Sequence, residues 1–121
     1  MRRSLHGPLE QHPNWEVRGA AVDGDDVIAK AQQFKPDIIV LDFVMPGMTG
    51  VEAASVLGRV LPSIPILLFA LDVTAQLVEQ AKNVGIKGAV QKSDTRGMIS
   101  GVEALLRQKT FFGDKRHTQR M

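Results

Sequence analysis

The chain has 121 residues, 44% hydrophobic and 23% charged, the composition of one soluble domain with a single core. It has no cysteine, which excludes disulfides, thiolate nucleophiles and cysteine metal sites. The formal net charge of +2 hides an uneven placement: residues 4–106 hold eight Lys or Arg against twelve Asp or Glu, so only the two ends are basic.

Arg2 and Arg3 open the chain, but no apolar run follows them as an export signal requires. No stretch approaches the ~18 apolar residues of a membrane span, so a cytoplasmic protein without membrane contact is expected. Pro8 allows only a short helix reaching His12, starting at the proline. His6 and Glu10 have helical metal-ligand spacing, but Pro8 between them argues against a metal site. Trp15 to Val22 reads as a weak edge strand, with Trp15 as a packing residue.

Asp23, Asp25 and Asp26 form an acidic cluster at the head of a helical pattern, Val27, Ala31 and Phe34. The pattern favours a turn and helix N-cap over a metal site. Ile38 to Asp42 follows, four apolar residues ending in a carboxylate, then a Met-Pro-Gly turn. A continuous apolar run of this length reads as a strand buried on both faces. Val51, Ala54, Leu57 and Leu61 keep one helical face until Pro62 stops it.

Ile66 to Ala70 is a second buried strand, and Ala89 to Lys92 a short third one. Between them Leu77, Ala81 and Val84 mark a helix with Gly85 as its C-cap. Asp94 or Thr95 caps the last helix, whose stripe is Met98, Ile99, Val102, Leu105 and Leu106. Residues 107–121 read as a basic, solvated tail, in which Phe111 and Phe112 either form an interface patch or fold back on the last helix. No recognition helix or aromatic platform accompanies its charge, so direct DNA binding is not expected.

Strand and helix alternate, which argues a parallel sheet with right-handed crossovers. In such sheets chemistry gathers at the carboxyl ends of the strands. Asp42 ends one strand and Lys92 the last, an acid and a cation at one rim.

"KPDIIVLDFVMPGMTGVEAA", "IPILLFAL" and "GAVQKSD" together resemble the receiver domain of two-component response regulators, particularly the LuxR-type class, from about Arg2 to Phe112. The resemblance implies a flavodoxin-like three-layer α/β sandwich whose first strand is missing here, leaving residues 1–106 as an N-terminally truncated receiver. It further implies that Asp42 is the phosphoacceptor, taking its phosphoryl group from a histidine kinase or a small acyl phosphate. Lys92 would pair with the phosphate. Mg²⁺ would be held by Asp42, the backbone carbonyl of Val44 and an acidic pair that this chain lacks. Ala70 stands where the family has a hydroxyl, and Ala89 where it has an aromatic switch, so both switch positions are degenerate. Such a chain is expected to take phosphate poorly.

Without its central first strand the sheet has unpaired backbone, which Trp15 to Val22 or a second copy must satisfy; a homodimer is the expectation. The alternative function is a receiver-like interaction module that works without phosphorylation. An enzyme in its own right is not expected, because Val44 stands where an aspartate-nucleophile phosphatase needs its second acid.

Overall fold

The computed structural model of the protein describes residues 23–112. The proposed helix to His12, the His6–Glu10 pair, the Trp15 to Val22 strand and the tail beyond Phe112 lie outside the described residues.

The chain enters as helix α1 (Gly24–Phe34), whose first turn is held by Asp23: its carboxylate accepts from the Asp26 N–H at 2.9 Å. Asp26 also pairs with Lys30 at 3.3 Å, one helical turn on. The acidic cluster is thus spent on starting a helix. Strand β1 (Ile39–Asp42) follows, then a small hairpin of β2 (Val44–Met45) and β3 (Met48–Thr49). Helix α2 (Gly50–Val60) begins with a capping box, the Glu52 N–H donating to Thr49 and the Thr49 N–H to Glu52. Its C-cap is Leu61, and Pro62 follows.

Strand β4 (Ile66–Ala70), helix α3 (Ala75–Asn83), strand β5 (Gly88–Gln91), helix α4 (Thr95–Leu106) and strand β6 (Phe111–Phe112) complete the order. Thr74 and Asp94 cap the two helices; Thr95 is the first helical residue rather than the cap. Gly85 takes a φ of +88°, the left-handed turn that ends α3.

The main sheet runs β1-β4-β5-β6, and every pairing in it is parallel. Helices α1, α2 and α3 cover one face, where Ala54, Leu57, Leu77 and Ala81 meet Leu41, Leu68 and Ala89. Helix α4 covers the other, where Met98, Val102 and Leu105 meet Leu67, Phe69 and Val90. Three layers result, the flavodoxin-like α/β arrangement the sequence implied.

Several boundaries and burials differ from expectation. Strand β1 is not buried on both faces: Ile39 and Leu41 are buried, Val40 and Asp42 only half so. Val40 lies at the margin of the cluster under α4, which covers it only in part. Strand β4, flanked by strands on both sides, is buried at all five positions. Lys92 falls one residue past β5, though its N–H still extends the ladder to Ala70 O at 2.9 Å. Leu106 turns outward at 39% exposure, because the chain leaves the helix there. The Met-Pro-Gly turn is a true hairpin, with Val44 opposite Thr49 and Met45 opposite Met48. Phe111 and Phe112 fold back, but they land on the sheet as β6 rather than on the helix alone.

Candidate functional site

The carboxyl ends of β1, β4 and β5 form one rim, and Asp42, Ala70 and Lys92 stand on it. Asp42 is held from both directions along the chain. Before it, β1 pairs with β4 in a register that sets Leu41 beside Leu68 and Asp42 beside Phe69. After it, the Phe43 N–H donates to Phe69 O at 2.7 Å, and the Gly50 N–H to Phe43 O at 2.7 Å. The start of α2 therefore pins the loop on which the carboxylate sits.

Two donors converge on one oxygen of that carboxylate. Lys92 Nζ lies 3.0 Å from Asp42 Oδ1, and the Val44 N–H donates to the same atom at 3.0 Å. The pair is neither sealed nor free, with side-chain exposures of 28% for Lys92 and 29% for Asp42. Oδ2 has no partner among the described residues. One oxygen is thus anchored by charge and by backbone.

The structure brings Asp42 and Lys92 together, and it sets the Val44 N–H, rather than its carbonyl, against the Asp42 carboxylate. Ala70, at the rim end of β4, is only 3% exposed, and Ala89 lies fully buried within β5. The sequence reading did not single out the Val44 N–H, although an aspartate at the head of a turn commonly accepts from the backbone N–H two residues on, and that was the signal for it. Gln91 Nε2 stands 3.4 Å from Asp72 Oδ1, a long contact between the tip of β5 and the loop after β4.

Mg²⁺ fits this rim poorly on the described residues alone. It demands a near-octahedral set of oxygens, and they offer Asp42 with the Val44 carbonyl. Asp23 and Asp26 are committed to the α1 cap and its ion pair. Among the described residues no group of three acidic or histidine side chains is arranged to hold a metal. No helix of the described residues is long and apolar enough to cross a membrane.

Comparison with known proteins agrees with the architecture. Residues 1–103 match the family described as response regulator receiver domain. The chain is similar to the uncharacterized transcriptional regulatory protein YxjL of Bacillus subtilis (strain 168), at 34% identity over 113 residues, 93% of this chain and 52% of that protein. Response regulator protein VraR of Staphylococcus aureus is 31% identical over 93 residues, covering 77% of this chain and 44% of VraR. Among solved structures, a LuxR-family two-component response regulator from Aurantimonas sp. SI85-9A1 superposes with a TM-score of 0.84 at 26% identity, over 92% of this chain and 79% of that one. The chain spans 17% to 52% of the length of the first curated relatives it matches. Since the family match runs through β1 with Asp42, the rim and most of the last helix, the chain belongs to the response regulator receiver domain family.

Proposed function

We propose that this receiver serves a two-component phosphorelay with Asp42 as phosphoacceptor and a histidine kinase as donor. The observation that carries this reading is the Lys92–Asp42 contact of 3.0 Å at the carboxyl rim of the parallel sheet. Oδ2 of Asp42 attacks the phosphorus, the bond from phosphorus to the donor's imidazole nitrogen breaks, and its electron pair stays on the imidazole. Lys92 meets the negative charge carried by the transferred oxygens, which is where a fixed cation contributes most.

Uptake is slow in this reading. Ala70 offers no hydroxyl to the phosphoryl group, and the described residues supply one carboxylate where Mg²⁺ wants several oxygens. The two alanines at positions 70 and 89 also favour a second reading, an interaction module that works without phosphorylation.

Intact mass spectrometry after incubation with acetyl phosphate and magnesium separates the two. Slow, partial labelling that disappears in Asp42→Asn supports the acceptor. Absence of label even with a partner histidine kinase supports the second reading. As partner we expect a second copy of the chain, in the cytoplasm. Light scattering that finds only a monomer at micromolar concentration would overturn that part.

A further inference from the structure

The outer edge of β5 is occupied by the chain's own last described residues. After α4, Gln108 turns at a φ of +65° and the Lys109 N–H donates to Ala104 O at 2.9 Å, sending the chain back to the sheet. Strand β6 then sets Phe111 beside Gly88 and Phe112 beside Ala89, and the Phe111 N–H donates to Lys87 O at 2.9 Å. Successive strand residues point to opposite faces. Phe111 accordingly packs with the cluster under α4, and Phe112 with the cluster under α1 to α3.

The receiving surface is shaped for these two rings. A Cβ on Gly88 would stand 2.6 Å from Phe111 O, and one on Gly101 3.2 Å from the Phe111 ring. Only glycine lets β6 approach this closely. Lys82 of α3 adds a cation over the second ring, its Nζ 5.0 Å from the Phe112 centroid. The same four-residue strand carries Lys92 just past its tip, tied to Ala70 by backbone and to Asp42 by charge.

We propose that the β5 edge is a strand-docking groove held closed by the chain's own segment Lys109–Phe112, and that the seating of this strap is coupled through β5 to the Asp42–Lys92 pair. When Lys92 loses its partner, β5 is released at its tip and the strap seats less firmly. The uncovered edge then offers unpaired backbone between two apolar faces, the surface to which an extended peptide adds as a strand. The occupant it fits best is the strap itself. The coupling does not require that Asp42 be phosphorylated, so it stands or falls apart from the acceptor reading.

Hydrogen exchange on the full chain, read by mass spectrometry, tests it. Phe112→Ala is expected to speed exchange of the Gly88–Gln91 amides by about tenfold, and Lys82→Ala by about threefold, by freeing the strap. Lys92→Gln is expected to speed exchange at Phe111 and Phe112 by about threefold, a local effect. An equal rise at Ala53–Leu57 in that variant, or no change at Phe111, overturns the coupling. A peptide of sequence KTFFGD should bind the Phe111→Ser/Phe112→Ser chain and not the intact one. Failure to bind that variant, with α2 still protected from exchange, overturns the groove.

Discussion

Lys92 reaches Asp42 across an intervening strand. Asp42 ends β1 and Lys92 follows β5 directly; each strand pairs with β4 and not with the other, yet Nζ and Oδ1 are 3.0 Å apart. Two strand spacings make about 10 Å, a gap only a long side chain closes. Ala70 ends the strand in the middle, and its carbonyl accepts from the Lys92 N–H at 2.9 Å. The contact is therefore a property of the sheet order, and it defines what each rim residue is expected to do.

Removing the lysine should separate chemistry from stability. A part-exposed ion pair of this kind contributes about 0–1 kcal/mol to folding. Lys92→Gln is thus expected to shift the urea midpoint little, while phosphate labelling of Asp42 falls by about 100-fold. A loss of stability well above that range, with labelling retained, would show Lys92 to be structural.

Ala70→Ser restores a hydroxyl at the rim. Labelling from acetyl phosphate is expected to rise about tenfold, the scale of one added hydrogen bond to the transferred group. Ala70 is 3% exposed, so the variant also buries a polar atom, at a cost of about 1–3 kcal/mol if that atom finds no partner. The two effects are read separately, by mass spectrometry and by thermal melting. Unchanged labelling in a folded variant would mean that the missing hydroxyl does not limit the reaction.

The loop that carries Asp42 depends on how α2 begins. Thr49→Ala removes the side-chain half of the capping box and should cost about 1 kcal/mol in urea denaturation. Gly50, next in sequence, donates to Phe43 O beside Asp42. Fraying of this turn should therefore also speed hydrogen exchange at Gly50. A stability loss without that local signature would place the effect elsewhere.

In the core, Leu68 is fully buried at the centre of the parallel sheet, between Leu41 and Ala89 in register. Leu68→Ala is expected to cost about 2–5 kcal/mol, enough to bring a small domain near its unfolding threshold. Circular dichroism during urea titration reads it directly. A cost below about 1 kcal/mol would mean the layer above β4 closes over the cavity.

Most of the fold was legible because it rests on local patterns. Apolar runs gave β1 and β4 to within a residue, and the spacings of three and four gave all four described helices. Asp23 was readable as a cap because a short acidic side chain before a helical stripe has a nearby N–H to accept from. The half-exposed face of β1 was not readable. A run of four apolar residues is the same string whether both of its faces are fully covered or one lies at the margin of a layer, and only the packing of helices on the sheet decides.

The site divides in the same way. The sequence by itself determined that a carboxylate ends a buried strand at Asp42, that Lys92 closes a later one, and that Ala70 and Ala89 bring no hydroxyl or ring to the rim. Those facts follow from residue type and strand position. Tertiary structure alone decided that Lys92 meets Oδ1 rather than solvent, that the Val44 N–H takes the same oxygen, and that Phe111 and Phe112 close the edge of β5. Each of these joins elements whose distance is set by strand order, register and the packing of helices between them, and no pattern within one element encodes a distance between two.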